Sequence, residues 1–211
     1  METVIYAPHN PTSAMSGFVV IEGIDGCGKS SVTKEVVRRL GKRAVLTREP
    51  TDTWLGKAVR EGEGKKISPY TDALLFMADR AQHTEQIASW MTKGKLVISD
   101  RYYHSTVAYQ AANLAKLFPG DAFKWLLEAN RRISIHPDLT VLLVIPPELG
   151  LERVKGRAKY SRFEKLGFLK EVHRNYLRLA RLDKSIVKID AERSLEDVVE
   201  DVLRLIKKAK L

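Results

Sequence analysis

Cysteine is almost absent from this chain. Of 211 residues only Cys27 is one, which excludes an internal disulfide framework and a cysteine-rich zinc site. The five histidines (His9, His83, His104, His136 and His173) have no ligand spacing, so no histidine metal centre is expected. This usage suits a reducing, cytoplasmic setting. No run of about 18 apolar residues occurs, so no membrane-spanning helix and no membrane partner is expected. The opening METVIYAPHNPTS lacks a basic stretch followed by a long apolar one and does not read as a secretory signal. Asparagine and glutamine are scarce, at four and three residues, while Lys, Arg and Glu abound. Thermophilic proteins share that bias. Acidic residues are also in deficit, 26 against 36 basic, for a net charge of +10. Such an excess suits either nucleic acid or a positive site for phosphate-rich small molecules. No basic stretch interleaved with Trp or Phe accompanies it, so nucleic acid is not expected as a partner.

The composition that remains, 44% apolar and 29% charged, is that of one folded domain. Residues 1–16, with Pro8, Asn10, Pro11 and Ser13, read as a loose extension before a domain over 17–211. Strands and helices then alternate. Apolar runs predict strands at 18–22, 44–47, 96–99, 139–145 and 186–189. Helical periodicity covers 29–40, 70–93, 101–112, 121–131, 147–157, 164–182 and 194–208. Strands that are apolar throughout are buried on both faces, the habit of parallel sheets flanked by helices. The expected fold is therefore α/β with three layers and five parallel strands. Its site should lie at the carboxyl ends of the strands.

The motifs fall there. Gly23-Ile24-Asp25-Gly26-Cys27-Gly28-Lys29-Ser30 matches G-x-x-x-x-G-K-[ST] between a strand and a helix. Its backbone N–H groups suit phosphate oxygens, and the helix start adds its dipole. Lys29, read as an exposed loop cation, suits the β and γ phosphates of a bound nucleotide. The Ser30 hydroxyl suits Mg²⁺, with Asp100, at the tip of the third strand, as its partner. Motor ATPases usually follow that aspartate with a glutamate that activates water, but here Arg101 follows. An arginine there suits an anionic acceptor and favours a small-molecule kinase over an ATPase. Arg101, Ser105 and Tyr109 are spaced i, i+4, i+8, which places them on one helical face beside Thr106 and Gln110. On the long helix Phe76, Arg80 and His83 are spaced i, i+4, i+7, and an aromatic ring with a guanidinium suits a nucleobase. Cys27, at the loop's helix start, reads as either a tolerated small side chain or a reactive thiol.

GIDGCGKSS, TREP (47–50), LLFMADRAQH (74–83), DRYYHSTVAYQ (100–110) and RFEKLGFLKEVHRNYLRLA (162–180), in this order, resemble the thymidylate kinase family. The likeness spans about residues 17–205. It implies a P-loop NTPase fold with a short lid over about 153–163, phosphorylation of dTMP by Mg·ATP, and a homodimer built through helices beside the sheet. It also implies roles for individual residues. Asp25 would hold the deoxyribose 3′-OH near the transferred phosphate. Phe76 would stack on thymine and Arg80 would bind its carbonyl. Ser105, Thr106 and Gln110 would border the base edge. Tyr109 would fill the space of a ribose 2′-OH. Arg101, and more weakly Arg48, would bind the acceptor phosphate. Some members carry a catalytic arginine inside the phosphate loop; that slot is Gly26 here, which shifts the role to the lid arginines Arg153, Arg157 and Arg162. Two departures stand out: Ser161 in place of an aspartate, and Thr51-Asp52-Thr53 in place of Gly-Gly-Thr. A related kinase with another acceptor such as dUMP, and a nucleic-acid-associated ATPase, are the alternatives.

Overall fold

The computed structural model describes residues 16–155 and 165–211. Residues 1–15 of the expected extension and most of the expected lid, with Ser161, Arg157 and Arg162, lie outside the described residues. Five strands form one sheet: β1 (Gly17–Glu22), β2 (Ala44–Arg48), β3 (Leu96–Asp100), β4 (Leu139–Val144) and β5 (Ile186–Asp190). Their order is β2-β3-β1-β4-β5, and every pairing is parallel. The central strand β1 is buried along its whole length, as its apolar run over 18–21 demands, and the Glu22 that ends it is buried too. Edge strand β2 is only partly buried, with Leu46 exposed.

The helices are α1 (Lys29–Leu40), α2 (Trp54–Glu63), α3 (Pro69–Thr92), α4 (Tyr103–Leu114), α5 (Ala122–Arg132), α6 (Pro147–Val154), α7 (Leu166–Leu182) and α8 (Leu195–Lys208). Helix α2 has no counterpart in the sequence reading. Its glycines, Gly56 and Gly62, dilute the pattern, yet Gly56 is there for packing: a Cβ on it would lie 1.9 Å from the Thr51 carbonyl oxygen. Thr53 caps this helix and Ser68 caps α3, each accepting a backbone N–H of the first turn.

Strand register sets the site. Ile21 pairs with Asp100, and Asp100 with Arg48 on its other side. The Arg101 N–H donates to the Ile21 carbonyl at 3.0 Å. The tips of three adjacent strands therefore end level, each followed by a motif residue.

Candidate active site

The phosphate loop links β1 to α1. Gly26 adopts φ 83°, and a Cβ there would lie 2.2 Å from the Gly150 carbonyl oxygen. A Cβ on Gly150 would in turn lie 2.6 Å from the Asp25 carbonyl oxygen. Loop and α6 thus meet backbone to backbone, with no room for a side chain on either partner. Lys29 is not the exposed cation that its loop position suggests. It is buried, and its Nζ donates to the carbonyls of Gly23 and Ile24, both at 2.9 Å, with the Cys27 Sγ at 3.7 Å. Those carbonyls turn inward as the loop curls, so the loop wraps its own lysine. Cys27 is buried within the main core, which corrects the reactive-thiol reading.

Ser30 is exposed, and its Oγ donates to Asp100 Oδ2 at 2.6 Å. The other oxygen, Asp100 Oδ1, is buried with no hydrogen-bond partner among the described residues. Both residues line a cleft of 680 Å³ that also reaches Arg48, Thr51, Asp52 and Thr53. Arg48 is exposed and pairs with Asp52 at 2.7 Å, so the Thr-Asp-Thr departure supplies that arginine with a partner. The same bond holds the Asp52 carboxyl below its ordinary value.

Arg101 lies outside the helix that its spacing suggested. Helix α4 begins at Tyr103, and Arg101 precedes it at φ 73°, a left-handed conformation uncommon outside glycine. Its guanidinium nevertheless reaches the expected neighbours. NH2 donates to Asp25 Oδ1, NH1 donates to Ser105 Oγ at 3.2 Å, and the group lies 5.4 Å from the centre of the Tyr109 ring. The Tyr109 hydroxyl donates to Asp25 Oδ2 at 2.9 Å and accepts the Asp25 N–H at 3.1 Å. Burial alone would push the Asp25 carboxyl up. The charges of Arg101 and Lys29, with the Tyr109 hydrogen bond, outweigh it and hold the carboxyl below its ordinary value. Burial, then the Asp25 charge, pushes the Tyr109 phenol well up.

A second buried network starts at Glu49, whose bond to Pro50 is cis. The Glu49 carboxylate pairs with Arg80 and meets His83 Nδ1 at 2.9 Å. His83 Nε2 meets Thr47 Oγ1 at 2.7 Å, and Arg80 NH1 donates to Asn130 Oδ1 at 2.7 Å. Arg80 is 1% exposed, so its guanidinium is fixed by protein on two corners, and its Nε has no partner among the described residues. Phe76, one turn earlier on α3, is half-buried. On the neighbouring α4, Thr106 Oγ1 and Gln110 Oε1 are buried and without partners among the described residues. Arg153 is placed elsewhere: it donates to the Ala191 carbonyl at 3.4 Å and lines a pocket of 190 Å³ with Gly28, Ser31 and Arg193.

The thymidylate kinase family model matches residues 21–202. The chain belongs to the thymidylate kinase family. A probable thymidylate kinase of Thermococcus gammatolerans is 41% identical over 207 residues, covering 91% of this chain and 96% of the relative. The thymidylate kinase of Carboxydothermus hydrogenoformans is 39% identical over 200 residues, covering 88% and 94%. The solved thymidylate kinase of Candida albicans shares the fold, with a TM-score of 0.80 at 24% identity over 95% of this chain and 96% of that one.

For this thymidylate kinase family member, the sequence reading passed over Glu22, Glu49, Asp79, Asn130 and Arg193. Asp79 accepts the Thr51 N–H at 2.8 Å and so anchors the segment entering α2. Glu22 was the most legible of them, as a lone acid ending an otherwise apolar buried strand. Asn130 and Arg193 carry no sequence signal of their own, because their importance lies in contacts across the fold.

Proposed function

We propose that the protein transfers the γ-phosphoryl group of ATP to dTMP, yielding ADP and dTDP. The observation that carries this reading is the pairing of two half-sites on adjacent strand tips. Ser30 meets Asp100 on the donor side, and Asp25 meets Arg101 and Tyr109 on the acceptor side. Phosphoryl transfer asks the protein mainly for positioning and charge, which this arrangement offers. Lys29 is assigned to the donor phosphates, which would replace the loop carbonyls as its partners. Arg101 and Arg48 are assigned to the acceptor phosphate. The lid arginines Arg157 and Arg162 are assigned to the transferring group, whereas Arg153, on α6 and turned to the Ala191 carbonyl, is not.

The donor side fits Mg²⁺. Asp100 has an unpartnered buried oxygen beside the Ser30 hydroxyl, and both are hard oxygen donors. Ser30 and Asp100 would hold the ion from the protein side, and nucleotide phosphates would supply further oxygen ligands. Bound there, Mg²⁺ would neutralise charge on the phosphates. On the acceptor side, Arg80 Nε, Thr106 Oγ1 and Gln110 Oε1 are buried polar atoms awaiting partners, as a base with carbonyl and imide groups requires. Phe76 is assigned to its face, Ser105 to its edge, and Tyr109 to exclusion of a 2′-OH. The exposed Trp54 and Leu74, on α2 and α3, support a homodimer through these helices, measurable by light scattering.

A coupled ADP-release assay with dTMP, dUMP, CMP or no acceptor tests the reaction. Turnover with dTMP far above the others is expected. Acceptor-independent hydrolysis stimulated by DNA would instead support a nucleic-acid-associated ATPase.

A further inference from the structure

Glu22 is fully buried and is the last residue of β1, directly before the phosphate loop. Its carboxyl faces the first turn of α4. Oε1 accepts the Tyr102 N–H at 2.7 Å and the Ser105 N–H at 3.1 Å. Oε2 meets the Ser105 hydroxyl at 2.7 Å and the Tyr176 hydroxyl at 2.9 Å. Helix α4 has no capping side chain of its own at Tyr102. The Ser105 N–H is shared with the Tyr102 carbonyl at 3.0 Å, whereas the Tyr102 N–H, ahead of the helix, goes to Glu22, so Glu22 supplies from another element the side-chain cap that Tyr102 lacks. The same turn carries Arg101 in its left-handed conformation and Ser105, which receives the Arg101 guanidinium.

We propose that Glu22 is a positioning residue for the acceptor site: its two backbone hydrogen bonds tie α4 to the root of the phosphate loop and thereby fix Arg101 and Ser105 relative to the donor. This rests on the reaction proposed above. The clamp works by reach, because an oxygen must arrive at two N–H groups; it does not need charge. Burial pushes the Glu22 carboxyl above its ordinary value, the Ser105 and Tyr176 hydroxyls and the Arg101 charge opposing, which fits a clamp of this kind.

Two variants separate reach from charge. Glu22→Gln keeps the length and an oxygen for both N–H groups, while its NH₂ meets hydroxyls that can turn to accept. Glu22→Asp keeps the charge and withdraws it by one methylene. Both stay polar, so neither leaves an apolar hole. Steady-state kinetics with dTMP and ATP varied separately, plus Tm, are the readouts. For Glu22→Asp the expected result is a loss of roughly tenfold or more in kcat/KM for dTMP, with KM for ATP within about twofold. Glu22→Gln is expected to stay within about threefold of wild type in both. A purely structural residue would lower Tm and the active fraction without separating the two substrates. Should Gln be the more damaging variant, charge rather than reach is at work and the proposal is overturned. Equal behaviour of Asp and wild type overturns it too. Wild-type turnover of dTMP is measured alongside; its absence would refute the proposed reaction, whereas the variants test the clamp.

Discussion

Replacing Lys29 with alanine separates its two roles. In the structure Lys29 Nζ serves the Gly23 and Ile24 carbonyls. Losing two hydrogen bonds at about 1 kcal/mol each costs about 2 kcal/mol. For a chain of this size that lowers Tm by about 4–8 °C. The protein still folds, because Val32, Val36 and the β1 side chains hold α1 against the sheet. The chemistry suffers far more. A cation aimed at charge developing on phosphate is comparable to one oxyanion-hole donor, about 3–4 kcal/mol, or about 10²–10³-fold in kcat. Tm by calorimetry and initial rates of ADP release, taken well below the variant's Tm, test both halves. A variant within tenfold of wild-type kcat would refute the donor-site assignment. An unchanged Tm would show that the loop carbonyls do not depend on the lysine.

Three further outcomes follow from the same geometry. Tyr109→Ala is expected to raise the turnover of the ribose monophosphate relative to the deoxyribose form by roughly tenfold; an unchanged ratio would show that Tyr109 does not sense the 2′ position. Cys27, being buried, should resist a bulky maleimide in the folded protein and react on unfolding in urea, and Cys27→Ala should remain active; fast labelling of the native chain with loss of activity would contradict the inward-facing thiol. Burial pushes the His104 imidazole down to about 3, so this histidine favours folding fully above the unfolded value near 6.5 and less as pH falls from there toward 3. Urea titrations at stepped pH should show a slope of up to about 1.4 kcal/mol per pH unit over that window, which His104→Phe removes; an identical slope in the variant would mean His104 is accessible to protons in the native state.

The sheet was legible because each strand is short, apolar and bounded by polar turns, and the observed strands match the predicted runs within a residue or two. Helix α2 was not, since Gly56 and Gly62 look like loop residues unless the Thr51 backbone pressing on Gly56 is known. The phosphate loop was recognisable by spacing alone, but the inward turn of Lys29 was not. Its partners are backbone carbonyls, which every sequence has and none reveals. Arg101 teaches the opposite lesson. Its i, i+4 spacing to Ser105 predicted the right contact for the wrong reason, because Arg101 lies ahead of the helix in a left-handed conformation and reaches Ser105 in the first turn from there. Arg80 was legible as a site residue, but its dependence on Glu49 and Asn130 was not, as those partners are 31 and 50 residues away in the chain.

The backbone contact between Gly26 and Gly150 restricts which descendants of this protein are reachable. A loop arginine at position 26 cannot arise here by one change, because the first carbon of any side chain already meets α6. Helix α6 would have to retreat first. That retreat would loosen the loop with no compensating gain, since no arginine would yet be present to use the space. The two steps are therefore unfavourable in either order. As long as that contact holds, position 26 admits no side chain without a movement of α6.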